Sequence, residues 1–509
     1  MNFDANRPDL TVGVIGTGAM GRGIAQVAAA GGMNVLMTDS RPGAAQEARD
    51  FIDKMLSRAA EKGGMSKDAA VAAVSRIKIV GSPADMKPCH VVIEAIVENL
   101  DAKRQLFAEL ETIVAPDCIL VTNTSSLSVT TVAAKLKTPQ RFAGFHFFNP
   151  VPLMKLVEVI DGLQTENWVS EALMAIGRRM TREPVRCTDA PGFLVNQVGR
   201  GFTLEAAHLV HEGIASFVDV DRVMRDVGGF RMGPFELMEL TGLDVTQPAS
   251  ELIYTQFFQE PRYRPNLIMR ARYEAGVLGR KTKKGFYDYD AEMKPIAPAE
   301  PAPPAAYPGH VWVSPAEPHG HAVLSELLRK MGASIETGPK PSANALILVT
   351  PIGEDATTCA VEQELDPKRT VAVDTLFPMV KRRTIMCTPV TDHIYRNAAH
   401  GLLASDGVPV TVCRDSPGFI AQRIVAMIVN IGCSIAQSRT AQPPDIDKAV
   451  TLGLNYPNGP FKFGDVLGPQ RVHKVLASMY RIYGDPRYRP NIWLTRRAKL
   501  GVSLLTPEP

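Results

Sequence analysis

Apolar and polar positions change rhythm along the chain, and the changes predict its elements. Thr11 to Ile15 is a β-branched apolar run, glycines follow, Ile24 to Ala30 carries small and apolar residues at helical spacing, and Asn34 to Thr38 is apolar again. Strand, helix, strand in that order predicts a βαβ unit. Apolar runs at His90 to Val97, Cys118 to Thr122 and Phe142 to Phe147 alternate with charged, helix-like segments. A parallel sheet covered by helices, a Rossmann-type α/β fold, is therefore expected to about residue 185. After Pro191 strand signals fade and helical patterns such as FLVNQVGRGFTLEAAHLVHEG take over, which predicts an all-α domain to about Tyr289.

The stretch from Pro295 to Pro308, PIAPAEPAPPAAYP, should support neither helix nor ladder and reads as an extended, semi-rigid linker. Beyond it the helical domain returns. Asp189-Ala-Pro-Gly-Phe recurs as Asp415-Ser-Pro-Gly-Phe, Val218-Asp-Val-Asp as Pro444-Asp-Ile-Asp, and Gly233-Pro-Phe as Gly459-Pro-Phe, all at an offset of 226 residues. Pro261-Arg-Tyr-Arg-Pro recurs at Pro486, offset by 225. Between linker and second copy, Val311 to Ser314, His321 to Met331 and Ala333 to Glu336 again read as strand, helix, strand, a worn second copy of the first domain. The expected division is a Rossmann domain at 1–188, a helical domain at 189–292, a linker at 293–309, a degenerate Rossmann-like domain at 310–412 and a second helical copy at 413–509.

Composition narrows the function. With 45% apolar and 21% charged residues the 509-residue chain is an ordinary globular protein. Its net charge of +3, from 56 basic and 53 acidic side chains, gives no bulk field for nucleic acid or anionic membrane. Any anionic ligand must be held by a local site. Seven cysteines with no CxxC pair predict a reducing, cytoplasmic setting and no metal site. The N-terminus lacks the basic start and apolar run of a signal peptide, and the longest apolar stretch, Ile424 to Ile435, is expected to be too short to span a bilayer.

Gly16-Thr-Gly-Ala-Met-Gly21 lies between a predicted strand and a predicted helix, the context that gives GxGxxG its meaning. Gly16 permits the tight turn, Gly18 lets the backbone approach a pyrophosphate, Gly21 lets helix and strand pack closely, and Ala19 and Met20 complete the loop. Asp39 closes the second strand, where a carboxylate accepts ribose hydroxyls and repels a 2′-phosphate, so NAD is expected over NADP. Arg41 reads as a solvated charge or an adenine neighbour. A nicotinamide cofactor calls for a base, and His146 in FHFFNP ends a strand, where open α/β sheets bind ligands. Glu158 is one acid within the apolar strand pattern KLVEVI; buried, it needs a partner, and a histidine would serve.

FHFFNPVPLMKLVEVI, VIGTGAMGRGIAQ, VVIEAIVENL, TNTSSL and DAPGFLVNQ together resemble the L-3-hydroxyacyl-CoA dehydrogenases, NAD enzymes of fatty-acid β-oxidation, over residues 10 to 290. The resemblance implies that His146 is the catalytic base and Glu158 its partner, and that Ser125 and Asn196 hydrogen-bond the reacting oxygen and neighbouring carbonyl. Glu98, Lys103 and Asn123 would line the nicotinamide side. Lys54 and Arg58, spaced i, i+4 on one helix, would hold the nucleotide end of coenzyme A. LGLNYPNGP and DPRYRP are similar to the long bacterial members of phenylacetate catabolism, which implies 3-hydroxyadipyl-CoA or 3-hydroxybutyryl-CoA as substrate. Two other readings remain at this stage: a sister dehydrogenase of a free hydroxy acid, and a non-catalytic nucleotide-binding assembly protein. The second half has Pro315, Glu317 and Pro318 in place of the glycines, no histidine in RTIMCTPV, and Gln422 in place of Asn196. It is expected to bind no NAD and to pair its helical copy with the first as an intrachain pseudo-dimer, with a homodimer of whole chains also open.

Overall fold

The computed structural model describes residues 3–305, 307 and 309–508; Ala306 and Pro308 of the linker lie outside them. The strands of the first half are β1 (Thr11–Ile15), β2 (Asn34–Thr38), β3 (Ile77–Ile79), β4 (Val91–Glu94), β5 (Ile119–Thr122), β6 (Phe142–Phe147), β7 (Leu156–Asp161) and β8 (Glu183–Thr188). Interleaved with them are α1 (Ala19–Ala30), α2 (Ala44–Glu61), α3 (Lys67–Ser75), α4 (Leu100–Ile113), α5 (Val129–Ala133) and α6 (Asn167–Arg179). A helical series follows: α7 (Val195–His211), α8 (Phe217–Asp226), α9 (Pro234–Thr241), α10 (Leu243–Gln256) and α11 (Leu267–Glu274). Two short strands, β9 (Asp288–Tyr289) and β10 (Pro295–Ile296), precede the second αβ series of β11 (His310–Val313), α12 (Pro318–Lys330), β12 (Ser334–Ile335), β13 (Leu346–Val349), α13 (Ala356–Glu362), β14 (Thr370–Val373), β15 (Arg383–Cys387), α14 (His393–Leu403) and β16 (Val410–Arg414). The chain closes with α15 (Ile420–Gln437), α16 (Pro443–Leu454), α17 (Pro460–Leu467), α18 (Pro469–Tyr483) and α19 (Ile492–Leu500).

The chain forms two compact units that cut across the five expected segments. The first comprises residues 1–196 together with 438–454, and the second residues 197–437 and 455–509. In the first unit the sheet order is β3-β2-β1-β4-β5-β6-β7-β8. Its strands are buried and apolar on both faces, with Val12, Val14, Val91, Val157 and Val159 on one and Leu36, Val92, Leu120 and Ile160 on the other, as expected where helices cover a sheet on both sides. The expectation of a wholly parallel sheet needs one correction, because β6 and β7 run antiparallel. Their connection is too short to hold a crossover helix, and a short connection can only reverse the chain. Buried Arg182 fastens it by donating to the carbonyls of Val151 at 2.9 Å and Met154 at 2.6 Å. α16 packs on β7 and β8, and a Cβ at Gly453 would lie 2.9 Å from both Leu156 and Val195.

The second unit holds a smaller sheet, β12-β11-β13-β14-β15-β16, with β14 and β15 antiparallel, and the helices of both copies apart from α16. α15 crosses α7 closely: a Cβ at Gly201 would lie 3.1 Å from the Ile428 backbone. Phe230 stacks on Phe463 at 5.6 Å, and Phe202 meets Tyr456 at 5.3 Å. Arg423, fully buried, pairs with Glu205 at 2.7 Å and Glu212 at 2.9 Å. α15 corrects a second expectation, since its 18 residues are long and apolar enough to cross a bilayer; 89% of them, however, are buried inside the protein. The linker corrects a third. Pro295 and Ile296 form a two-residue antiparallel ladder with Tyr289 and Asp288, since a proline at the start of an edge strand leaves its missing N–H outside the ladder.

Candidate active site

β1 ends in Gly16, whose φ of +90° is the left-handed turn that glycine makes freely. A Cβ on Gly21 would stand 1.7 Å from the Gly16 carbonyl oxygen, so only glycine lets α1 pack this tightly on the strand. Above Gly18 nothing lies within 4 Å of where a Cβ would be, and Gly18 caps α1 with no side-chain acceptor on its amides. Ala19 and Met20 open the helix. An open cradle over uncapped helix N–H groups suits the pyrophosphate of a dinucleotide. Asp39, at the end of β2, accepts from Thr17 N at 2.7 Å and Arg41 N at 2.9 Å. Burial raises its carboxyl, but these donors prevail and hold it below the usual range. Arg41 itself turns to an exposed pair with Glu47 at 2.7 Å.

The antiparallel reversal of β7 sets Glu158 directly opposite His146. His146 Nδ1 lies 2.7 Å from Glu158 Oε2, with the imidazole 5% exposed and the carboxylate fully buried. Glu158 Oε1 accepts from the backbone N–H groups of Leu194 at 3.1 Å and Val195 at 3.0 Å, at the start of α7. The turn that aims them runs through Gly192 and Phe193, both at positive φ. A buried carboxylate thus has two helix amides on one oxygen and an imidazole on the other, which leaves Nε2 as the ring nitrogen free of the pair.

A second network flanks this pair. Asn123 Oδ1, at the end of β5, accepts from Phe147 N at 2.9 Å, the residue after His146. Glu98 accepts from Thr124 Oγ1, Ser125 N at 3.1 Å and Ser126 Oγ at 2.9 Å, and Asn196 Nδ2 donates to the Ser125 carbonyl at 3.5 Å. Burial would raise the Glu98 carboxyl, but the Lys103 charge and the threonine and serine hydroxyls bring it below the usual range. Lys103 is 1% exposed and bridges Glu94 at 2.6 Å and Glu98 at 3.2 Å. Its ammonium therefore holds two carboxylates. Sequence reasoning missed Glu94, a fully buried acid that also accepts from Thr122 Oγ1 and Ile96 N, each at 2.7 Å. It closes the apolar strand VVIE, the same signal of one acid in an apolar run that marked Glu158. Lys54 and Arg58 stand exposed on α2, outside these networks.

The second sheet repeats this geometry with other residues. Cys387 pairs with Arg414 as Asp161 pairs with Thr188, and Val371 pairs with Cys387 as Ala143 pairs with Asp161. By that register Asp374 stands where His146 stands and Thr384 where Glu158 stands. The expected alignment of RTIMCTPV with FHFFNPV is therefore corrected: Arg383–Cys387 matches β7, and β14 matches β6. The second sheet has six strands against eight, so counting apolar runs from the linker slips by one. At α12 the Glu317 carboxylate accepts from Gly320 N, so a negative charge of the chain's own occupies the helix N-terminus that a pyrophosphate would need.

Fold and cradle together define a nicotinamide-dinucleotide oxidoreductase of the Rossmann class. Residues 11–190 match the family described as "3-hydroxyacyl-CoA dehydrogenase, NAD binding domain", and residues 192–289 and 418–503 match "3-hydroxyacyl-CoA dehydrogenase, C-terminal domain". The chain is 35% identical over 490 residues to the 3-hydroxyadipyl-CoA dehydrogenase of Escherichia coli K12, covering 96% of this chain and 98% of that one. It is 40% identical over 277 residues to a probable 3-hydroxybutyryl-CoA dehydrogenase of Bacillus subtilis, across 54% of this chain and 96% of the relative. A solved structure of 3-hydroxybutyryl-CoA dehydrogenase from Escherichia coli K12 superposes with a TM-score of 0.85 at 34% identity, covering 97% of this chain and 99% of that one. The chain belongs to the 3-hydroxyacyl-CoA dehydrogenase family, and its cofactor is NAD.

Proposed function

We propose that the protein oxidises an (S)-3-hydroxyacyl-CoA to the 3-oxoacyl-CoA, with His146 as general base and Glu158 as its partner. The observation that carries this reading is the 2.7 Å contact between His146 Nδ1 and Glu158 Oε2, buried at a strand end beside the dinucleotide cradle's sheet. Bound NAD would accept the hydride from C3 of the substrate. His146 Nε2 would take the hydroxyl proton, and the Glu158 carboxylate would stabilise the imidazolium. The amides of Leu194 and Val195 hold the other Glu158 oxygen, which fixes the carboxylate in place for this role. Ser125 and Asn196 would orient the substrate oxygens, with Glu98 fixing the Ser125 backbone and Lys103 fixing Glu98. Asn123 would stand on the nicotinamide side. Asp39 would receive the adenine ribose, and Lys54 with Arg58 would meet the coenzyme A phosphates.

The relatives named for 3-hydroxyadipyl-CoA and 3-hydroxybutyryl-CoA support a short or dicarboxylic acyl chain in this reading. A panel of such thioesters, followed by NADH absorbance with His146→Ala as control, tests the reading. Oxidation of the free hydroxy acid but not of the thioester would overturn it. The five-segment division is proposed with it, and within it the helical repeats act as an intrachain pseudo-dimer. Support comes from the Arg423 pairs with Glu205 and Glu212 and from the Phe230–Phe463 stack.

A further inference from the structure

The proline and alanine linker is the one sequence feature that the dehydrogenase reading leaves without a task, and the structure ties it down. Arg222 donates to the Pro298 carbonyl, Arg382 pairs with Glu300 and Asp226, and α14 carries Gly401 where a Cβ would come within 2.9 Å of the Pro304 carbonyl. Held in this way, the linker becomes one wall of a cavity of about 940 Å³. The opposite walls are the turn at Gly213 to Ser216, the end of β15 at Cys387, and α14 and β16. That volume falls within the range of about 300–1,000 Å³ typical of small-molecule sites.

The charge facing this cavity without a carboxylate partner is positive, carried by two exposed arginines. Its three acids already have donors: Glu212 from Arg423, Arg487 and Tyr483, Asp415 from the first amides of α13, and Asp219 from Ser216 and Arg222. Its arginines do not have acceptors to match. Arg396 reaches only the neighbouring Asn397 side chain, at 3.3 and 3.4 Å, and Arg414 lies with a guanidinium nitrogen over Gly213. Among the described residues no carboxylate forms an ion pair with either. Arg396 and His400 are spaced i, i+4 on α14 and share a face, and the Arg396 charge is felt at both His400 and Cys387. Burial and that charge push the His400 imidazole below its usual range.

We propose that this linker-walled cavity is a binding site, separate from the dehydrogenase site, for a small organic anion carrying at least two phosphate or carboxylate groups, held by Arg396 and Arg414 with the His400 ring beside Arg396 on the same helix face. Arginines suit both groups because the guanidinium fork meets either oxyanion with two parallel bonds. Isothermal titration of the NADH-saturated protein with pyrophosphate and with citrate tests the site, and whichever probe binds tells phosphate from carboxylate. One molecule per chain is expected, with affinity rising as pH falls from 8 to 6 because a bound anion favours the imidazolium. Arg396→Ala and Arg414→Ala should each weaken binding about tenfold, and the double variant should lose it while keeping fold by circular dichroism and turnover with thioester. The proposal is overturned if neither probe binds at millimolar concentration, if the double variant binds as well as the wild type, or if Lys54→Ala and Arg58→Ala abolish binding instead.

Discussion

Asp374 accepts a 2.9 Å hydrogen bond from Gln422 Nε2, and the two residues hold in the second half the positions of His146 and Asn196 in the first. Where the first half has a base paired to an acid, the second has an acid paired to an amide. Burial pushes the Asp374 carboxyl up to about 6, and its Oδ2 has no hydrogen-bond partner. The folded protein therefore holds this proton more tightly than the unfolded chain. Stability from this group is full at low pH and declines as pH rises from about 4 to about 6. Asp374→Asn should raise stability at pH 8 by roughly 1–3 kcal/mol and bring little gain near pH 4, with turnover unchanged. Urea midpoints at the two pH values check this.

His146→Ala should lower turnover by about 10²–10⁴-fold while NAD affinity, read by fluorescence titration, stays close to wild type. Glu158→Gln should lower both turnover and thermal stability, because the amides of Leu194 and Val195 lose a charged acceptor. Wild-type turnover in His146→Ala would remove the base assignment.

Asp39→Ala should weaken NAD and lift the exclusion of NADP, measured as the ratio of kcat/KM for the two cofactors. A wild type that already favours NADP would shift the selectivity to Arg41, whose pairing with Glu47 at the surface argues against that outcome.

Lys103→Met should destabilise the protein by about 3–5 kcal/mol, since it leaves Glu94 charged and buried without its cation. Glu98→Gln should be milder in denaturant but should raise KM, because the Ser125 backbone loses its anchor. The contrast between the two variants separates the load carried by Glu94 from that carried by Glu98.

Arg423→Met should also lower stability, by up to about 3–5 kcal/mol, because it leaves Glu205 and Glu212 to share Arg487 as their remaining cation. Against the rise that burial alone would produce, Arg487 and Arg423 hold the Glu205 carboxyl down at about 2. Its contribution is therefore fully present above about pH 4.5 and is lost as pH falls towards 2. Arg423→Met should flatten that acid limb, which a pH series of denaturant midpoints reads directly.

The βαβ opening, the helical series and its return were legible because each rests on local rhythm: β-branched runs, helical spacing, and repeated turn motifs such as Asp-Ala-Pro-Gly-Phe and Asp-Ser-Pro-Gly-Phe with their left-handed glycines. The His146 and Glu158 pair was legible because an acid in an apolar strand demands a partner. The antiparallel turn of β7 was not, since strand direction depends on the length of the connection and on where Arg182 fastens it. Neither were the donors at Leu194 and Val195, which are backbone groups that carry no side-chain signal. The pairing of Lys103 with Glu94 was hidden for another reason: each residue carries a signal of its own, but only the fold brings the helix lysine to that strand carboxylate.

The Arg423 network also has a direction. Glu205 and Glu212 come from the first helical copy and Arg423 and Arg487 from the second, while the matching places hold Ile431, Ser438, Gln197 and Arg262. Two first copies brought together would set Glu205 against Gln197, and two second copies would set Arg423 against Ile431. Three of the four positions differ between the copies and only the Arg487 place keeps its charge, as Arg262, so the network presents one charge pattern from one side and another from the other.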